Sequence, residues 1–436
     1  MGISDAPTSG EGAERPKMSA AAAQAYIAGL EAFKNGDLEG ARTQFAKAGE
    51  ADPKAYQAFY SLGVVRERLG DETGALNAYR KSLAAVEDYE PAIVAYSVLL
   101  SRLGRAAEAE GFLKEKQARM PKSAAVVAAL AEVKSIQGDS GEAQRLAQEA
   151  LKKNPDYRPA METLARDHYR NRRLDLALYA LKGILDGYGD ENPPRDKNNA
   201  QARLLRGLIY KEQGFRRDSI EELKKALELR PDLVEARVHL GAFMLESGNA
   251  AEAAPLLEGA LRYDKDNVLV HLNLGDAYRL LGKVQEARKE LEWVLAKDPN
   301  VAQAHYNLGL LYLFSGNIAG MTKKQAIDRA IAQLEEFKRK RPRSAQASTD
   351  DTDELLNRAK SQKAQIEAEE AAPPAAAPPP AAPPAGAAPA GAAPAGAAPA
   401  GAAPAGAAPA GAGPASKPTS PKPAPGSSGA LPPTEG

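Results

Sequence analysis

The sequence predicts an all-α solenoid of about nine helix-turn-helix repeats. Three observations carry this. Glycines recur at one phase of a 34-residue period, at Gly29, Gly63, Gly207, Gly241, Gly275 and Gly309. Twelve positions on comes a small residue, at Ala41, Ala75, Ala109, Ala143, Ala177, Ser219, Ala253 and Ala287. A proline recurs twelve beyond that, at Pro53, Pro121, Pro155, Pro231 and Pro299. A fixed period of a few tens of residues is the signature of supersecondary units stacked in one direction.

The elements follow from that frame. Residues 1–18, rich in Gly, Ser, Pro and Glu, read as a flexible linker. Nine repeats fill 22–344: 22–55, 56–89, 90–123, 124–157, 158–191, then 200–233, 234–267, 268–301 and a last unit from 302. An insertion, 192–199 (NPPRDKNN), separates the fifth from the sixth. Each unit carries two apolar stripes at helical spacing. In the eighth these are His271, Leu274, Gly275 and Tyr278, then Ala287, Leu291 and Val294. Gly282 between the stripes suits a helix C-cap, where positive φ is wanted. Pro299 ends the second helix. Gly275 and Ala287 are small so that the two helices of a unit can approach closely. Ser97, Ala131 and Ala165 replace the glycine in repeats three to five. The ninth unit holds about nine extra residues near Ile318–Lys324 before its second helix.

A further helix is expected over 350–370, with Leu355, Leu356, Ala359 and Ile366 on one side. A solenoid needs a terminal cap with a polar outer face, and this segment suits that role. From 371 to 436 the chain is almost only Ala, Pro and Gly and holds 19 of the 32 prolines. Such a stretch has little to bury, so a disordered, PPII-biased tail is expected there.

Composition narrows the chemistry. Lys+Arg and Asp+Glu are both 57, so no net field draws the chain to nucleic acid. The basic clusters Arg166, Arg170, Arg172, Arg173 and Lys338–Arg343 read as solvated faces beside balancing acids. Cysteine is absent, which excludes disulfides, thiolate metal sites and cysteine nucleophiles. No phosphate loop, nucleophile elbow or metal motif appears. Catalysis, a cofactor and a metal are therefore not expected. His239, His271 and His305 fall on first helices of successive repeats, and an interface role outweighs a metal site, since no ligand joins them at suitable spacing. No apolar run is long enough to span a membrane. The start, Met1-Gly2-Ile3-Ser4-Asp5, has no signal-peptide character as written.

The glycine, alanine and proline phases resemble the tetratricopeptide repeat (TPR) family across about 320 residues. That resemblance implies a superhelix whose first helices, A, line a concave groove, with positions 2, 5, 6, 9, 12 and 13 of each unit facing a ligand. On this sequence those positions include Tyr26, Tyr60, Arg68, Arg166, Tyr169, Arg170, Asn273, Asp276, Tyr306 and Asn307. Asn273 and Asn307 correspond, and an amide offers a donor and an acceptor to a peptide backbone. Tyrosine offers flat apolar area with a polar tip. The clamp by which chaperone-binding members hold an acidic C-terminus is missing, since Tyr26, Leu30, Ser61, Pro91 and Ala95 occupy its places.

The blocks FKNGDLEGARTQFAKAGEADP (33–53) and HLNLGDAYRLLGKVQEARKELEWVLAKDPN (271–300), with the AAPAG tail, resemble the TPR lipoproteins of the myxobacterial adventurous gliding motility machinery. That resemblance implies a non-catalytic scaffold in a cell-envelope complex, periplasmic and outer-membrane associated. Its partners would be other envelope proteins, not nucleic acid. It would touch the membrane only through an N-terminal lipid anchor absent from this chain. A pilotin-like lipoprotein assisting secretin or pilus assembly, and a cytoplasmic TPR adaptor or cochaperone, are the alternatives.

Overall fold

The computed structural model describes residues 15–316, 318–341 and 351–371, and among these it contains nineteen α-helices and no strand. Residues 1–14 of the expected linker, Asn317, 342–350 (the end of the expected ninth repeat, with Arg343 of the basic cluster, and the first residue of the expected capping helix) and 372–436 of the expected tail lie outside the described residues. The chain divides into two units, one reaching Ala364 and one running Gln365–Glu435. Of the second, residues 365–371 are described and are helical.

The helices pair as the period requires. The first four repeats are α1 (Ala20–Lys34) with α2 (Leu38–Ala51), α3 (Tyr56–Arg68) with α4 (Glu72–Ala85), α5 (Glu90–Arg102) with α6 (Ala106–Arg119), and α7 (Ala124–Ile136) with α8 (Ser140–Lys153). The fifth is α9 (Arg158–Arg170) with α10 (Leu174–Leu185). Then come α11 (Ala200–Glu212) with α12 (Arg216–Leu229), α13 (Val234–Glu246) with α14 (Ala250–Ala260), α15 (Val268–Leu280) with α16 (Val284–Lys297), and α17 (Ala302–Phe314) with α18 (Lys323–Lys340). The helix α19 (Thr352–Ala371) follows.

Side-chain size sets the spacing within each pair. Ala41, Ala75, Ala109, Ala143, Ala177, Ala253, Ala287 and Ser219 are all buried. The serine tolerates this because its hydroxyl donates to the Gly207 carbonyl at 2.7 Å. Opposite lie the glycines of the A helices. A Cβ on Gly275 would stand 2.7 Å from Leu291, and one on Gly309 would stand 2.7 Å from Leu334. The turns between the paired helices hold a residue at positive φ, glycine in Gly36, Gly70, Gly104, Gly138, Gly214, Gly248 and Gly282. In the fifth repeat that place is taken by Arg172, at φ 59°.

The insertion is fastened down rather than left as an open joint. The Tyr188 N–H donates to the Asn192 carbonyl at 2.7 Å, and the Asp196 N–H to the Ile184 carbonyl at 2.8 Å. Arg158 pairs with Asp196 at 2.9 Å, and Arg195 with Asp156 at 3.2 Å, so the segment ties back to the fifth repeat and to the loop that precedes it. The helix α19 begins two residues later than the sequence suggests and buries Leu355, Leu356 and Ala359. Lys363 and Asp328 of α18 pair at 2.7 Å, which holds it in the capping position.

The helix α7 departs furthest from one-sided burial. In α7, residues 125–133 and Ser135 are all buried. A helix apolar on every side is a core helix, and AAVVAALAEV is such a sequence. Its neighbours supply the reason. Pro91, Ala95, Ala125, Ala128, Ala129, Pro159 and Thr163, at inner positions of repeats three to five, are short side chains. Short inner side chains let consecutive A helices close together. The core cluster built there runs from Tyr56 to Ala160 and takes in Tyr60 and Val64 of repeat two.

Candidate partner-binding face

The inner face therefore has two parts. In repeats two to five it is largely closed by its own side chains. In repeats six to eight the inner positions carry Leu204, Leu208, Lys211, Glu235, His239, Leu269, Asn273, Asp276 and Leu280, which are longer. Leu204 and Leu208 are buried, but the other seven are half-buried or exposed, so this part is open.

The ten groove residues expected from the family frame divide accordingly. Tyr26 is half-buried with its ring 5.5 Å from that of Phe45. Tyr60 is 5% exposed, edge-on to Tyr89 at 5.6 Å, and burial pushes its hydroxyl well above the usual range. Arg68 lies over the Phe33 ring at 4.5 Å and pairs with Asp232 at 3.7 Å. Burial, then the neighbouring Arg230, brings its guanidinium down to about 10. Arg166 and Arg170 share one carboxylate, Glu132 of α7, at 3.2 and 3.3 Å. Burial of Glu132 opposes ionisation, but the two cations outweigh it and hold the carboxyl below its ordinary value. Arg170 also donates to Ser135 Oγ at 2.7 Å, and the Tyr169 hydroxyl donates to Glu212 at 2.7 Å. The Tyr306 hydroxyl donates to Asp351 at 2.9 Å, beside the start of α19.

The other three stand differently. Asp276 pairs with Arg279 one turn along the same helix at 2.7 Å. Asn307 is buried and Asn273 is half-buried. Neither amide has a side-chain partner among the described residues.

The open face gathers polar groups that sequence reasoning missed. Lys211 donates to His239 Nδ1 at 3.0 Å. Burial, then the Lys211 charge, drives the imidazole down to about 4, so the ring is neutral at pH 7. With Nδ1 accepting, its proton sits on Nε2, which has no hydrogen-bond partner among the described residues. Glu235 is reached by solvent but enclosed by neighbouring helices, and this desolvation pushes its carboxyl up against the opposing pull of Lys211. Leu269 and Leu280, 37% and 47% exposed, add apolar area. Donors, acceptors and apolar side chains in this arrangement suit a peptide segment laid across the A helices. The signal in the sequence was the polar set Lys211, Glu235 and His239, at positions 12, 2 and 6 of repeats six and seven.

His271 and His305 have another duty. Position 4 of repeats six to nine donates to the carbonyl six residues earlier: Arg203 to Lys197 at 2.6 Å, Arg237 to Pro231 at 2.8 Å, His271 to Lys265 at 2.9 Å and His305 to Pro299 at 3.0 Å. The other ring nitrogens contact Glu290 at 2.5 Å and Gln333 at 2.7 Å. These side chains brace each A helix against the loop before it.

With this geometry in place, comparison with known proteins identifies the family. One profile described as tetratricopeptide repeat matches residues 20–90, 129–193 and 204–268, and a second matches 244–311. The chain is a tetratricopeptide repeat protein. No curated protein matches its sequence. Among solved structures it is similar to a chain of the APC/C hetero-tetramer Cut9–Hcn1, at 19% identity and a TM-score of 0.55. That match covers 77% of this chain and 62% of the other, so this chain spans less than two thirds of its neighbour's length. YrrB, a TPR protein with an unusual peptide-binding site, matches at 19% identity and TM-score 0.39, over 49% of this chain and 97% of its own. The type IV pilus biogenesis factor PilW matches at 20% identity and TM-score 0.35, over 51% of this chain and 99% of its own. At 19% identity the likeness to the Cut9–Hcn1 chain shows the fold alone.

Proposed function

We propose that the chain is a non-catalytic scaffold that binds a protein partner through the inner face of repeats six to eight. The observation that carries this is the contrast between the two halves. In repeats two to five the inner residues Tyr60, Arg68, Ala128, Ala129, Arg166, Tyr169 and Arg170 are buried or paired within the chain. Asn273, Glu235 and the Nε2 side of His239 keep hydrogen-bonding capacity beside exposed Leu269 and Leu280. Groups left in this state on a rigid element suit a peptide backbone and its side chains.

The cellular setting in this reading is the cell envelope: a periplasmic, outer-membrane-associated component of a gliding motility complex, with envelope proteins as partners. It rests on the resemblance of the 33–53 and 271–300 blocks and on the Ala/Pro/Gly-rich composition of 371–436, which suits a spacer. The test is a crosslinked pull-down from native cells, with the gene read upstream of Met1. Recovery of envelope proteins that the double variant Glu235→Lys/Asn273→Ala no longer retains, with a lipidation signal upstream, supports both parts. Recovery of a secretin would move the protein to the pilotin-like class. Recovery of cytosolic proteins alone overturns the envelope setting, and equal recovery by the double variant overturns the binding face.

A further inference from the structure

Arg68 and Asp232 are far apart in the chain, yet their side chains are only 15% and 6% exposed and lie 3.7 Å apart. Arg68 ends α3 in repeat two, and Asp232 lies in the loop between α12 and α13, where repeat six meets repeat seven. Two further observations place the same two regions together. Gly70, in the turn after α3, has φ 75°, and a Cβ there would stand 2.8 Å from the Tyr263 carbonyl, in the loop after α14. The Tyr263 ring packs on the apolar cluster of repeats one and two that contains Phe45, Leu62 and Val65. Arg230 pairs with Asp232 from its own loop, and Arg237 stacks 5.9 Å from the Tyr263 ring. The solenoid thus meets itself across repeats three to five.

We propose that this contact is a latch. The turn between α3 and α4 docks on the loops that end α12 and α14, holds the intervening repeats closed around α7, and keeps their inner face from any partner. When it releases, the inner positions of repeats two to five become a second binding surface, continuous with the open face of repeats six to eight. The contact suits reversible closure. Among the described residues it includes one ion pair, one ring and one glycine-to-carbonyl approach, less than the packing between adjacent repeats. A charge pair out of water also loses its advantage sharply when one partner is replaced.

The consequence for binding rests on the inner-face reading above, but the latch is tested without a partner. The chain has no cysteine, so spin labels can be placed at Thr73→Cys and Lys265→Cys, both exposed and on opposite sides of the contact. Pulsed dipolar spectroscopy on the full chain then reads the gap. The native sequence should give one short, narrow distance. Asp232→Arg should shift the distribution to longer, broader values, and Arg68→Asp/Asp232→Arg should bring it back. Gly70→Ala and Gly104→Ala share the turn strain, since Gly104 has φ 76°, but nothing lies within 4 Å of a Cβ at 104. Only the first should open the gap. Helical content by circular dichroism identifies any variant that unfolds. A long or broad distance in the native sequence, or folded Asp232→Arg and Gly70→Ala proteins at the native distance, overturns the latch. A failed partner assay with the distances as expected would overturn only the inner-face reading.

Discussion

A Cβ on Gly63 would come within 2.3 Å of the Tyr79 ring. Tyr79 is fully buried, and its hydroxyl donates to Glu67 at 2.9 Å, so the ring has no room to yield. The glycine in an A helix and the large residue sixteen positions later form one complementary unit. Where repeat four has Ala131 instead of glycine, the residue sixteen on is Ala147.

Gly63→Ala should therefore destabilise the protein. A glycine-to-alanine change inside a helix ordinarily gains roughly 0.5–1 kcal/mol. Overpacking a filled core costs about 1–3 kcal/mol, so a net loss of about 1–2 kcal/mol is expected. Gly111→Ala, with nothing within 4 Å of its Cβ, should show the ordinary gain. Denaturant titration of both variants checks the pair.

Arg172→Gly should stabilise. Arg172 carries the positive φ that glycine carries in the other turns, and the left-handed conformation costs a residue with a Cβ about 1–2 kcal/mol. Its ion pair with Glu212 is mostly exposed and offsets little. A rise of the thermal midpoint is the expected outcome.

Glu132 gives stability a specific pH dependence. Arg166 and Arg170 hold its carboxyl below the ordinary 4.5 despite burial, so the folded chain binds the proton less well than the unfolded one. Its contribution is complete above about pH 4.5 and is lost as pH falls through the folded value. Glu132→Gln should flatten stability across that acid window. Glu132→Ala should cost about 3 kcal/mol at pH 7, because two cations lose a buried partner. Urea unfolding between pH 3 and pH 7 reads both effects.

Tyr60 and Asn273 should separate core from surface. Tyr60→Ala should cost about 3 kcal/mol of stability, as a buried aromatic does. Asn273→Ala should leave the thermal midpoint in place and weaken partner binding about tenfold, the scale of one hydrogen bond in a groove. A thermal melt and a binding isotherm on each variant decide it.

The repeat frame was legible because spacing carries it. Every A helix from the second repeat onward starts at the residue that the 34-residue phase marks, and Ala287 and Gly275 play the steric parts expected of them. The site was less legible. Tyr60 and Asn273 occupy equivalent kinds of position, yet one is core and the other stands on an open face. Position in the repeat fixes direction only. Whether that direction ends in solvent depends on what neighbouring side chains cover it: Tyr60 is buried edge-on to Tyr89, whereas Asn273 is only half-buried. The pairing of Arg166 and Arg170 with Glu132 needed three dimensions, since the carboxylate comes from the preceding repeat.

The most direct test of the account places a photoreactive residue at Asn273 and, separately, at Tyr179, whose ring is 65% exposed on α10, a second helix that does not line the inner face. Irradiation in native cells, followed by mass spectrometry, identifies what lies against each. The account predicts a protein adduct at 273 and none of the same mass at 179. An adduct at 179 with none at 273 would place the partner on the outer face and contradict it.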